Sequence, residues 1–125
     1  MKNQQVTIIK EGHVFKRGEY FKNWRSRYFY LFSDGNLIGY KEKPLEGPCA
    51  DCYNLFDVTK SKVISTEFPK ENSFLLRCCY YGKIMDRLFR CDETNDRDDW
   101  VEKIKLVAEK LSFGQVKTEK SKETD

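Results

Sequence analysis

Hydrophobic and polar positions alternate with period two over most of the chain and switch to a helical period near the end. Val6–Lys16 mixes β-branched and polar residues and predicts a strand around Gly12. Trp24–Ser33 is the clearest strand, with Trp24, Ser26, Tyr28, Tyr30 and Phe32 on one side and Arg25, Arg27, Phe29 and Leu31 on the other. Asp34-Gly35 follows, a pair suited to a tight hairpin because glycine tolerates positive φ. Asn36–Lys43 is the predicted return strand, and Pro44 to about Asn54 reads as a loop. Phe56–Val58 and Val63–Glu67 are two short strand candidates. Ser73–Tyr80 and Ile84–Cys91 form a hairpin around Tyr81-Gly82-Lys83.

From Thr94 the period becomes helical. Trp100, Ile104, Val107 and Leu111 make one apolar stripe. Thr94 or Asn95 suits the N-cap, and Asp96, Asp98 and Asp99 in the first turn match the helix dipole. Gly114 is the expected stop, and the polar 113–125 segment reads as a charged, flexible tail. The expected architecture is therefore mostly β with one C-terminal α-helix, a seven-stranded antiparallel barrel or sandwich capped by that helix. A short twisted sheet has two exposed ends. The helix covers one, and the other keeps its hairpin loops free to bind.

Composition narrows the picture. A chain of 125 residues fits one domain, and no apolar run approaches the ~20 residues that span a bilayer. The polar start, Met1 to Gln5, lacks the apolar centre of a secretory signal, so a cytoplasmic location is expected. The five cysteines, an odd number, argue against a secreted disulfide framework. Net charge is +3, yet residues 1–45 carry nine Lys/Arg against four Asp/Glu. That asymmetry fits an anionic partner and fits a solvated charged face equally well.

The spacing inside the basic half is more informative. Arg25 and Arg27 are two apart on a strand and leave the same face, and Lys16 ends the preceding strand. Two forked guanidinium groups and an ammonium at a barrel mouth suit a small ring bearing several phosphates. Other chemistries have less support. Cys49-Ala50-Asp51-Cys52 has C-x-x-C spacing, but a zinc site needs two further ligands; Cys78 and Cys79 are adjacent and His13 is the only histidine. No metal, cofactor or catalytic constellation is expected. The aromatics beside basic residues lack the glycines of an RNA-recognition motif and read as core, so no nucleic-acid partner is expected.

Lys10-Glu11-Gly12, Lys16-Arg17-Gly18-Glu19-Tyr20, Trp24-Arg25-Ser26-Arg27-Tyr28-Phe29, Asp34-Gly35 and Ile38-Gly39-Tyr40-Lys41-Glu42 occur in that order. Asn54-x-Phe56, Thr66-Glu67-x-Pro69, Asn72-Ser73-Phe74, Arg77-Cys78, Asp86-Arg87, Arg97 and Trp100 continue it. The pattern resembles the N-terminal pleckstrin-homology (PH) domain of the protein kinase B (Akt) family over roughly residues 6–111. The resemblance implies a PH domain at 6–112, with 113–125 a linker. It implies binding of phosphatidylinositol 3,4,5-trisphosphate and 3,4-bisphosphate at the anionic inner leaflet of the plasma membrane, by a monomer. The implied head-group residues are Lys16, Arg17, Glu19, Tyr20, Arg25, Arg27, Asn54 and Arg87. Among them Lys16 and Asn54 take the 4-phosphate side, Arg25 and Arg27 the 3-phosphate, and Arg87 supports the latter or the adjacent ring edge. Arg17 and Lys22 add general attraction to the leaflet. A carboxylate at such a site opposes binding, so Glu19→Lys is expected to raise vesicle affinity and blur lipid selectivity.

The pattern has departures. Gly12-His13-Val14 stands where the family has Gly-Trp-Leu, and Tyr81 where Trp is usual. Cys78 matches a family cysteine whose partner position holds Ser61, which removes that disulfide. If a kinase domain follows residue 115 in a longer chain, the resemblance also implies an autoinhibitory contact with it. The chain by itself is not expected to be an enzyme. The rival expectation is a peptide-binding module using the groove between a sheet edge and the helix.

Overall fold

The computed structural model describes residues 5–18 and 20–123, with side chains as far as Ser112. Six strands run β1 (Ile8–Arg17), β2 (Trp24–Phe32), β3 (Asn36–Tyr40), β4 (Asn54–Thr66), β5 (Ser73–Tyr80) and β6 (Lys83–Arg90), followed by one helix, α1 (Thr94–Glu123). Each strand pairs antiparallel with the next, and β6 returns to β1 to close a barrel. The closing seam is short: among the described residues it pairs Phe15 with Arg90 and Lys16 with Phe89.

The strand count is six among the described residues, not seven. The two segments expected around Phe56–Val58 and Val63–Glu67 are halves of β4, joined through an irregularity between Asp57 and Lys62. Polar Thr59 to Lys62 carries no alternation that would mark this stretch as strand, yet a bulge lets the ladder bend without ending. Other turns follow local chemistry. Gly35 turns the β2–β3 hairpin at φ 97°, and Tyr81 and Gly82, at 50° and 82°, make the two-residue turn between β5 and β6.

Alternation along β2 sorts its residues as expected. Phe29 and Leu31 face the lumen with Val14, Leu37, Phe56, Val58, Phe74, Leu76 and Phe89, and Trp100, Ile104 and Val107 of the helix complete that core. Each such side chain contributes about 1.5–3 kcal/mol on burial. Tyr28 and Tyr30 form a second buried cluster with Tyr40, against which Cys52 of the β3–β4 loop packs. Val101, absent from the expected stripe, is also buried.

The helix does not stop at Gly114 but runs on to Glu123. A mid-helix glycine costs only about 1 kcal/mol, and the Gln, Lys and Glu residues that follow are good helix formers. The helix sits at one end of the lumen: Gly12 of β1 approaches the Trp100 ring, and Lys10 pairs with Asp96 at 2.9 Å and Asp99 at 2.8 Å. Lys16 lies four residues further along β1, about 13 Å toward the opposite, open end.

Candidate functional site

At that open end the register assembles the basic residues. Lys16 lies directly opposite Arg25, and Val14 opposite Arg27. Val14 is core, so Arg27, Arg25 and Lys16 share the lumen face. Directly paired Cα atoms stand about 4.5–5.5 Å apart, and alternate residues on one strand about 6.6 Å, so the three cations form a compact triangle. Arg87 joins from β6: it pairs with buried Leu76 and lies two residues from Phe89, which faces Lys16 across the seam. Asn54 opens β4 on the same face as buried Phe56 and pairs with Gly39. Its Oδ1 is buried with no hydrogen-bond partner among the described residues.

Aromatic rings hold several of these cations in place. The Arg27 guanidinium lies 5.1 Å from the Tyr53 ring centroid, with Lys41 at 4.8 Å from the same ring. Arg87 lies 5.7 Å from Tyr80 and donates from Nη1 to the Asp86 carbonyl at 2.9 Å. Neither tyrosine is marked by sequence pattern; only the register shows that each stands beside a lumen-facing arginine. The Asp86 carboxylate beside Arg87 is occupied elsewhere. Arg77 donates to it from Nε at 2.8 Å and Nη2 at 3.0 Å, and these bonds hold the Asp86 carboxyl below its usual value.

The remaining expected residues lie elsewhere. Arg17 pairs with Trp24 and lies 5.8 Å from its ring, and it lines a small concavity of about 220 Å³ at the loop end with Lys22, Asp86 and Arg87. Tyr20 and Phe21 project from the β1–β2 loop, 86% and 76% exposed. Glu19 lies outside the described residues. Trp24 and Arg90 brace the outer wall, with Arg90 stacked on Phe15 at 4.5 Å and on Trp24 at 5.8 Å. Cys78 lines the lumen, where burial pushes its thiol up to about 12 against the opposing pull of Arg87. No group of three or more metal-ligating side chains occurs among the described residues.

A second concavity, about 850 Å³, runs between β4 and α1 and is lined by Thr59, Lys60, Lys62, Ala108, Lys110 and Ser112. It is the groove a peptide would use; Lys60, Lys62 and Lys110 line it together with Glu109, and the buried Ser61 Oγ there has no hydrogen-bond partner among the described residues.

Residues 8–109 match the profile of the PH domain family. This chain is a PH domain. Its sequence is 43% identical over 109 residues to RAC-beta serine/threonine-protein kinase of Homo sapiens, and likewise to RAC-beta serine/threonine-protein kinase B of Xenopus laevis. Each alignment takes in 86% of this chain, and the chain spans 22% of the length of those kinases. The resemblance read from the motifs therefore holds for the PH region. Among solved structures, the C-terminal PH domain of pleckstrin in complex with D-myo-Ins(1,2,3,4,5)P5 aligns at TM-score 0.67 and 24% identity, covering 82% of this chain and 99% of that one. The Slm1 PH domain in complex with inositol-4-phosphate aligns at TM-score 0.69 and 17% identity, covering 82% and 96%. These two establish the shared fold. No helix among the described residues is long and apolar enough to cross a membrane.

Proposed function

We propose that this PH domain binds the head groups of phosphatidylinositol 3,4,5-trisphosphate and 3,4-bisphosphate and so brings its parent chain to the anionic face of the plasma membrane. The observation that carries the reading is the register that sets Lys16 against Arg25, with Arg27 and Arg87 on the same lumen face at the end away from the helix. Forked guanidinium donors grip phosphate oxygens bidentately, and an ammonium adds a point charge. In this reading Arg25 and Arg27 hold the 3-phosphate, and Lys16 and Asn54 the 4-phosphate side. In that role the Asn54 Nδ2–H donates to a phosphate oxygen.

Arg17 and Lys22, which line a concavity with Arg87, also attract the leaflet at about 1 kcal/mol each, and that attraction weakens with salt. Exposed Tyr20 and Phe21 stand beside them at the tip that meets the bilayer. By similarity to the RAC-beta kinases, the recruited activity is a Ser/Thr kinase, restrained by its PH domain until the lipid is engaged.

The deciding experiment offers liposomes carrying each phosphoinositide in turn to the parent protein and to Arg25→Ala. Selective binding to the 3-phosphorylated lipids, lost in the variant, supports the pocket. Equal, salt-sensitive binding to every anionic liposome, or none, overturns it and turns attention to the β4–α1 groove.

A further inference from the structure

The motif that lipid binding leaves unused is Cys49-Ala50-Asp51-Cys52. It lies on the loop between β3 and β4, and the loop reverses there. The chain bends at Ala50, and the Cys52 N–H donates to the Ala50 carbonyl at 3.0 Å, closing a three-residue turn on Asp51. A disulfide needs its two Cα atoms within about 7 Å, and a bend between cysteines three apart in sequence favours that approach.

Both cysteines are anchored at one point. The Tyr40 hydroxyl donates to the Cys49 carbonyl at 2.5 Å and accepts from the Cys49 N–H at 2.9 Å. Cys52 packs on the same tyrosine's cluster. Burial is the main reason the Tyr40 hydroxyl is held above its usual value. The two cysteines also line a single open cavity of about 430 Å³ with Tyr40, Lys41, Pro44 and Tyr53, so a small solute reaches both. Cys49 is exposed and Cys52 half-buried, and both are free thiols. Cys78 and Cys91 differ: they are buried in the core, and burial pushes both thiols up to about 12, which keeps them protonated and unreactive.

We propose that Cys49 and Cys52 are a thiol-oxidation site, a dithiol that a peroxide converts to an intraloop disulfide. The exposed Cys49 thiolate attacks the peroxide; an S–O bond forms, the O–O bond breaks, and the departing hydroxide takes a proton to leave as water. The Cys52 thiolate then attacks the Cys49 sulfenic sulfur; the S–S bond forms, the S–O bond breaks, and a second water leaves. Two thiols and one hydrogen peroxide thus give one disulfide and two waters, and thiol exchange with a reductant such as glutathione reverses the change.

The site adjoins the lipid pocket in sequence and in space. Tyr53 follows Cys52, ties its N–H to the Gly39 carbonyl at 2.8 Å, and presents the ring on which Arg27 stacks; Asn54 comes next. Closing the disulfide removes freedom from the segment that carries both residues. Oxidation then tightens head-group binding by roughly 2- to 10-fold, the gain expected from ordering one or two side chains beforehand. This effect rests on the head-group reading; the disulfide itself does not.

The test exposes the full chain to hydrogen peroxide, blocks remaining thiols with N-ethylmaleimide, and maps the peptides by mass. The expected result is loss of two hydrogens within the peptide holding Cys49 and Cys52, while Cys78 and Cys91 are blocked only after unfolding. Cys49→Ser and Cys52→Ser should each abolish the bridge, and Cys52→Ser should leave a sulfenic acid that dimedone traps. Blocking of both loop thiols after peroxide, bridging to another cysteine, or a disulfide-linked dimer overturns the proposal. Titration of reduced and oxidised protein with soluble inositol 1,3,4,5-tetrakisphosphate reads the coupling. Equal affinities overturn the coupling and leave the disulfide. A reduced protein that binds no inositol phosphate overturns the head-group reading together with the coupling, while the mass map still reports the disulfide.

Discussion

Arg25→Ala separates binding from folding more cleanly than any other change at the open end. Arg25 is exposed and makes no hydrogen bond or ion pair among the described residues, whereas Arg27 donates to the Ser26 carbonyl at 2.9 Å and stacks on Tyr53. Truncating Arg25 therefore removes no contact that the unliganded fold uses. Stability should stay within about 0.5 kcal/mol of the parent. Its partner across the ladder is Lys16, so the lost donors are those facing the shared lumen position. A charge-assisted hydrogen bond contributes about 1.5–3 kcal/mol, and about 1.4 kcal/mol is tenfold in affinity. The expected loss is thus roughly 10- to 100-fold in the dissociation constant. Calorimetric titration with soluble inositol 1,3,4,5-tetrakisphosphate measures it without the bilayer's general attraction. Arg25→Lys, which keeps charge but loses the fork, should fall between the two. Unchanged affinity in a folded Arg25→Ala protein would refute the argument from register, because no other described residue pairs with Lys16 on that side.

Other predictions concern the frame around the site. Arg97 is only 4% exposed and donates to the Ser73 carbonyl at 2.7 Å, the Thr66 carbonyl at 3.2 Å, Glu67 at 2.9 Å and Asp98 at 2.7 Å. Arg97→Ala leaves those carbonyls unpaired and should cost about 2–4 kcal/mol in a denaturant melt. Gly39→Ala should cost about 2–3 kcal/mol, since the added Cβ would stand 2.6 Å from two ring carbons of buried Phe29; an unaltered melting temperature would contradict that packing. Hydrogen bonds from Lys10 and then Lys103 hold the Asp99 carboxyl below its ordinary 3.8. A depressed carboxyl contributes stability above that ordinary value and loses it as pH falls through the lower folded value. Thermal melts should therefore be level near neutrality and decline below about pH 4. Asp99→Asn should lie lower at pH 7 and converge on the parent in acid.

Much of the barrel was legible because β2 is an amphipathic strand of nine residues whose two faces carry different chemistry. Phe29 and Leu31 had to face a core, and Arg25 and Arg27, on the same side, had to emerge at its rim. Lys16 followed from hairpin pairing alone. The continuity of β4 was hidden because Thr59 to Lys62 lies where the ladder bulges and no side chain there needs burial. Arg17, adjacent to Lys16, carries the same charge; one residue of pleat turns it toward Trp24, and it still lines a concavity with Arg87. Tyr53 and Tyr80 carry no local signal, since a tyrosine in a loop or at a strand end becomes a cation platform only when the fold sets an arginine against it. The end of α1 lies beyond Gly114 because glycine is a common helix terminator but only a weak helix breaker.

The seam between β1 and β6 has a further consequence, for the order in which the molecule comes together. Lys16 and Phe89 are joined across most of the chain's length, while Lys16 and Arg25 meet through a short hairpin. Contacts so distant in sequence bear the largest loop-closure entropy and form late. A nascent or partly unzipped chain thus holds Lys16, Arg25 and Arg27 together but not Arg87. A polyphosphate that spans all four would act as a clasp on the seam, slowing its opening and protecting the amides of Phe15, Lys16, Phe89 and Arg90 from hydrogen exchange ahead of those in the β2–β3 hairpin.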